Sequence, residues 1–410
     1  MNNASKITGG RAGVNEILPP EGPTIIISCG DTAGHLFMAA AVSEIVKDHV
    51  PSSEVIFVGA KGRLHLEELL GSGQKIHLLK ISAFDRKNLA GNAMLPWKMG
   101  LSLFQSFQLL MKYQPTLVIG LGGYPSAPLI AAAALRRIPS LIIEPNYVPG
   151  LTNSLLKSGV DRICVSFLET MRQFPKSKTV CTGTPIRKSI LANSVSREAA
   201  YARLQLNPNL KTLLVVGGSL GSSSLNRMVL NSMSALSTKQ DVQLLWQTGA
   251  QHFEGVQNAV GQMGISRYRA LPFIEHIEEA YSVADLVISA AGAVTLAELS
   301  CLGKPAIVIP TQEVTDNHQS MNALYYAAKG ACVLISPQDS GNTLAERTIY
   351  LLHCEGELKR LGERAKDVAH PQANTRISEE INCLLWNESR ASAIANSRRK
   401  ESESQCSTQY

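Results

Sequence analysis

From Thr24 onward, short runs of apolar and β-branched residues alternate with segments of helical periodicity. That alternation predicts a parallel sheet wrapped in helices. The runs predict strands at Thr24 to Ser28, Glu54 to Val58, Thr116 to Ile119, Ser140 to Ile143 and Asp161 to Ser166, with a helix after the first ending near Asp48. Near Lys211 the plan restarts, with strands at Thr212 to Val216, Gln243 to Trp246, Leu286 to Ser289 and Ala306 to Ile309.

Each half opens as strand, glycine-rich turn, helix. The first turn is Cys29-Gly30-Asp31-Thr32-Ala33-Gly34-His35 and the second Gly217-Gly218-Ser219-Leu220-Gly221. Such turns leave backbone N–H groups unpaired at a helix N-terminus, where an anion is favoured. Two of them at equivalent places, 187 residues apart (217 minus 30), point to two Rossmann-like domains facing across a cleft. Thr182 to Pro208 reads as the hinge. Neither turn is a dinucleotide fingerprint and no Walker A sequence occurs, so a nucleotide-sugar enzyme fits better than a redox enzyme or an ATPase.

At 410 residues, 45% hydrophobic and 18% charged, the chain is long enough for two or three domains, and a disordered or coiled-coil protein is excluded. A net charge of +6 is too small a bias to indicate nucleic-acid binding. No apolar stretch approaches the ~20 residues of a spanning helix, and Met1 to Pro20 does not read as a secretory signal. The eight cysteines lack metal-ligand spacing and read as reduced thiols, so neither metal nor cofactor is expected. Residues 1–22 and the Ser-rich 387–410 are expected to be disordered.

Several motifs, in order from about Thr24 to Leu385, resemble those of the MurG family. Gly120-Leu121-Gly122-Gly123-Tyr124-Pro125-Ser126-Ala127-Pro128 is similar to the family's GxGGYxSxP loop, and Glu144-Pro145-Asn146 with Pro149-Gly150-Leu151-Thr152-Asn153 to HEQN…PGLTN. Gly183-Thr184-Pro185-Ile186-Arg187 resembles GNPVR, Gly217-Gly218-Ser219 resembles GGSQG, and Gly292 to Glu298 resembles GALTxxE. Asp316-Asn317-His318-Gln319 through Asn322 is similar to the family's DxxQ…N acceptor-loop sequence. The chain departs from the family pattern at Asp31, Ala33, Pro145, Leu220 and Ala290.

The resemblance implies a GT-B fold and an inverting transfer of GlcNAc from UDP-GlcNAc to an undecaprenyl-linked acceptor. It implies a 23–185 acceptor domain, a 186–370 donor domain and a 371–386 helix returning to the first. It also implies work at the cytoplasmic face of the bacterial plasma membrane, with an anionic membrane surface and cell-wall and division proteins as partners. A UDP-GlcNAc 2-epimerase and a non-catalytic UDP-sugar-binding paralogue are the competing readings.

Inverting transfer needs a base at the acceptor hydroxyl and positive charge or N–H dipoles at the departing UDP. His35 is the candidate base, with Asn146 and Glu298 beside it as candidate catalytic residues. Arg187, Ser219 and the helix start after Gly221 are candidates for the diphosphate. By the resemblance, Glu298 accepts from the ribose hydroxyls, Ile274 reads uracil through its backbone and Gln319 bonds the sugar, with His318 a secondary candidate. Thr32, Ala33, Gly34, Ala293, Val294, Thr295, Leu296 and Ala297 complete the donor site, and Gly122, Gly123 and Tyr124 the acceptor loop.

Met94 to Met111 is unusually apolar for a surface helix. Trp97, Leu101 and Phe104 form one stripe and Met99, Leu103, Phe107 and Leu110 another, with Arg86, Lys87 and Lys98 nearby. One stripe can serve the core; the first, with its basic rim, fits an anionic bilayer.

Overall fold

The computed structural model describes residues 22–30, 32–60, 73–81, 95–192, 195–218, 220–311 and 318–386. Two parallel sheets carry the architecture. The first contains β1 (Thr24–Ser28), β2 (Glu54–Ala60), β3 (Lys75–Leu79), β4 (Leu117–Gly120), β5 (Ser140–Glu144), β6 (Arg162–Val165) and β7 (Thr179–Cys181), in the order β3-β2-β1-β4-β5-β6-β7. The second contains β8 (Lys211–Val216), β9 (Val242–Gln247), β10 (Tyr268–Leu271), β11 (Leu286–Ala290), β12 (Ala306–Ile309) and β13 (Val333–Leu334), in the order β10-β9-β8-β11-β12-β13. Both orders reverse between the first and fourth strand of their sheet, the point where such sheets open a crevice for ligands.

Side chains alternate across each strand, and both faces of each sheet are covered. On one face of the first sheet, Ile25, Ile27, Ile119 and Ile143 pack with Leu36 and Val42 of helix Ala33–His49 and with Ile377 and Ile381 of helix Ala373–Leu385. On the other, Ile26, Ile56, Val118 and Ile142 meet Leu110 and Leu129 of helices Leu95–Tyr113 and Ser126–Leu135. This double burial explains why the central strands are continuous apolar runs. Helix Ala373–Leu385 is tied to the first sheet by Arg162 Nε donating to Glu380 Oε2 (3.0 Å).

Sequence pattern misses β3, β7, β10 and β13, and all four are edge strands. An edge strand shields its side chains less, so Lys75, His77 and Arg269 interrupt runs that would otherwise be apolar. Within the 182–208 segment lie helices Lys188–Leu191 and Arg197–Arg203.

No helix among the described residues is long and apolar enough to cross a membrane. On helix Leu95–Tyr113, Trp97 (70% exposed) and Phe104 (57%) point outward, and Leu101 is half-buried. Leu103, Phe107 and Leu110 serve the core, whereas Met99 departs from their stripe and is exposed. Arg86, Lys87 and Met94 lie outside the described residues, as do Asp31, Ser219, Asp316, Asn317, residues 1–21 and residues 387–410.

Candidate active site

A cleft of about 700 Å³ opens at the carboxyl ends of the central strands, between the two sheets. Thr32, Gly34, His35, Asn146, Arg187, Ile274, Ala293, Val294, Thr295, Glu298, His318 and Gln319 all line it. Residues up to 287 positions apart (319 minus 32) thus share one space.

On the first-sheet side, Thr32 caps helix Ala33–His49, and its Oγ1 lies 2.8 Å from His35 Nδ1. The imidazole packs close to the backbone of Gly30 and Gly122. A Cβ on Gly30 would come within 2.2 Å of Nδ1, and one on Gly122 would lie 3.4 Å from Nε2. Gly122 and Gly123 also hold left-handed φ values of +87° and +73°, so glycine is required there twice over. Tyr124 does not face the cleft; it packs on the opposite face of the sheet, against the core that holds Ile130.

Glu144, buried at the end of β5, is a hub that the sequence pattern left without a role. Its Oε1 accepts from Asn146 N and Nδ2 (3.0 Å each), and its Oε2 accepts from Gly150 N and Asn153 Nδ2 (2.9 Å each). Four donors therefore converge on one carboxylate. An acid that ends an otherwise apolar buried strand was the available signal.

On the second-sheet side, the turn after β8 interlocks with the turn after β9. A Cβ on Gly221 would lie 2.0 Å from Thr248 O, and one on Gly249 2.2 Å from Leu220 O. Gln247 donates to Gly218 O (2.9 Å) and accepts from Ile274 N (2.9 Å), so the Ile274 N–H is already engaged. Gln319 is similarly committed at one end. Its Oε1 accepts from Ala291 N (3.2 Å), Thr311 N (2.9 Å) and Thr311 Oγ1 (3.0 Å), which leaves its amide N–H groups for a ligand.

Two expected donor-site residues turn away: Leu296 packs in the second-sheet core, and Ala297 lines a separate small cavity with Cys301 and His370. Both follow the first turn of helix Ala293–Leu302, beyond reach of its free N–H groups. Ala33 heads helix Ala33–His49 between cleft residues Thr32 and Gly34.

Glu298 and Arg187, each expected to meet a different part of the donor, meet one another. Arg187 Nη2 stands 3.5 Å from Glu298 Oε1, while Tyr281 OH donates to Glu298 Oε2 (3.0 Å). Burial pushes the Glu298 carboxyl above its usual range, and Arg187 and Tyr281 offset only part of that. The guanidinium lies 4.4 Å over the ring of Phe37, and its Nε is buried without a partner.

Known proteins match across nearly the whole chain. The glycosyltransferase family 28 N-terminal domain matches residues 25–165 and the family 28 C-terminal domain residues 212–377. A Christiangramia forsetii protein is 35% identical over 367 residues, covering 90% of this chain and 99% of its own. A Porphyromonas gingivalis protein is 37% identical over 372 residues, covering 89% and 97%. Both are named UDP-N-acetylglucosamine–N-acetylmuramyl-(pentapeptide) pyrophosphoryl-undecaprenol N-acetylglucosamine transferase. The crystal structure of Acinetobacter baumannii MurG superposes with a TM-score of 0.67 at 26% identity, covering 88% of this chain and 99% of that one. A UDP-GlcNAc 2-epimerase from Neisseria meningitidis, at TM-score 0.63 and 14% identity over 87% and 99%, shares the fold alone.

Proposed function

The chain belongs to the MurG family of glycosyltransferases, and from that premise we propose how its own residues carry the transfer. It is a GT-B enzyme that moves GlcNAc from UDP-GlcNAc to undecaprenyl-pyrophosphoryl-MurNAc-pentapeptide, converting lipid I to lipid II. Uracil takes the Ile274 carbonyl, because Gln247 holds the N–H. Glu298 accepts from the ribose hydroxyls, and Gln319 donates to the sugar. The diphosphate sits on the N–H groups of the Gly217–Ser223 turn and of helix Ala293–Leu302, with Ser219 and Arg187 beside it. Once the ribose engages Glu298, the Arg187 guanidinium is released toward that charge.

The acceptor 4-hydroxyl oxygen then attacks the anomeric carbon from the face opposite UDP. The bond from that carbon to the β-phosphate oxygen breaks, UDP leaves with the electron pair, and the hydroxyl proton passes to a His35 ring nitrogen. Asn146 orients the reacting sugars. The observation that carries this reading is a single cleft joining His35 from the first sheet to Arg187, Glu298 and Gln319. The chain divides near 185/186 into acceptor and donor domains. It docks through Trp97, Leu101 and Phe104 at the cytoplasmic face of the plasma membrane, where cell-wall and division proteins would be its neighbours.

His35→Ala tests the base. It is expected to lower kcat about 10²–10⁴-fold, the range of general base catalysis, with the UDP-GlcNAc Kd unchanged. UDP release with and without a lipid I analogue is the assay. Wild-type turnover in the variant would remove His35 as base, and acceptor-independent release by wild type would sink the transferase reading.

A further inference from the structure

We propose that Asn322 is a positioning residue for the transfer, fixing the Asn146 amide so that an N–H, not a carbonyl, faces the substrate. The proposal rests on the transferase reading above and adds a residue to it. Asn322 sits in helix His318–Ala328, one turn after Gln319, and is 1% exposed. Its Oδ1 accepts from Tyr147 N (2.9 Å), and its Nδ2 donates to Asn146 Oδ1 (3.1 Å) and Ala291 O (3.4 Å). It therefore joins a loop of the first sheet to a loop of the second. Aromatic packing holds the same joint, with Tyr325 5.6 Å from Tyr147 and 4.8 Å from Phe167 between ring centroids.

The polarity of this chain of amides is set at both ends. A backbone N–H can only donate, so the Tyr147 N–H assigns Oδ1 of Asn322 and turns its Nδ2 toward Asn146. A carboxylate can only accept, so Glu144 assigns Nδ2 of Asn146. The Asn146 carbonyl oxygen is thus taken by Asn322 and one of its N–H groups by Glu144. The one donor that Asn146 has left for the cleft it lines is its second N–H, while its carbonyl oxygen is directed to Asn322. That N–H can donate to a hydroxyl or ring oxygen of a bound sugar, and it cannot serve as a base.

Asn322→Asp inverts this arrangement. The carboxylate still accepts from Tyr147 N but has nothing to donate. The Asn146 amide then lies between two acceptors and satisfies them with both N–H groups, withdrawing the one meant for the substrate. The variant is expected to lose about tenfold or more in kcat, the factor that corresponds to one misdirected hydrogen bond. Its UDP Kd, measured by calorimetry, should stay within about twofold of wild type, since no uridine contact is altered. Because Asn322 acts through Asn146, adding Asn322→Asp to Asn146→Ala should cost no further kcat. Wild-type kcat in Asn322→Asp, a multiplicative loss in the double variant, or loss of UDP binding would each overturn the proposal, the last by showing a purely structural role. Wild-type protein that binds UDP but shows no acceptor-dependent release would instead overturn the transferase reading, and the proposal with it.

Discussion

Glu298→Gln tests the donor site at its most buried charge. The change keeps the volume of the side chain and an acceptor for Tyr281, but removes the charge that faces Arg187 and, in the proposed complex, the ribose. A hydrogen bond to a charged acceptor contributes about 1.5–3 kcal/mol and a neutral one about 0.5–1.5. The variant should therefore bind UDP-GlcNAc about 1–2 kcal/mol more weakly, which is about 5–30-fold in Kd. A 2′-deoxyuridine analogue isolates the contact: wild type should lose about 10–100-fold on losing that hydroxyl, and the variant markedly less. The pH dependence has a definite sign. The folded-state pKa of Glu298 lies above its usual 4.5, so folded protein holds the proton longer than unfolded chain. As pH rises from 4.5 to the raised value, the apo wild type loses stability that Glu298→Gln keeps. Over the same window donor binding moves the opposite way, because the ribose needs the ionised carboxylate. Wild-type affinity for UDP-GlcNAc should fall toward that of the variant as the medium is acidified, while the variant's affinity stays level. Calorimetric titrations across that range would refute the assignment if both proteins bound equally well and lost equally on removal of the 2′-hydroxyl.

Gly249→Ala forces a Cβ into Leu220 O at a φ of +82° and should cost about 1–3 kcal/mol of stability in a urea melt, with weaker UDP binding as the phosphate turn shifts. An unchanged melt and Kd would show that the interlock of the two turns does not shape the site. Trp97→Ser with Phe104→Ser should weaken sedimentation with anionic vesicles by about 2 kcal/mol, or about 30-fold, and leave turnover of a water-soluble acceptor intact. Undiminished vesicle binding would move the membrane face elsewhere.

The central strands were legible because burial on both faces writes them as uninterrupted Val, Ile and Leu; β3, β7, β10 and β13 were not, because an edge strand needs no such run. The glycine turns were legible for a related reason: a positive φ or a backbone contact leaves its mark at one position. The polar wiring of the cleft leaves no such mark. Asn146 and Asn322 are 176 residues apart, and Arg187 meets Glu298 only after both sheets have formed. Motif resemblance drew attention to Asn146, Ile274, Gln319 and Glu298, all of which line the cleft, but it could not say which atoms of each were already engaged. Those commitments decide the chemistry on offer. Gln247 takes the Ile274 N–H, Thr311 takes the Gln319 carbonyl, and Glu144 and Asn322 engage one amide N–H and the carbonyl of Asn146, leaving one N–H as its free donor. A cleft residue therefore offers a substrate what its distant partners leave free, and in Gln319 and Asn146 that remainder includes an amide N–H, the donor that a hydroxyl-rich sugar would take in the proposed complex.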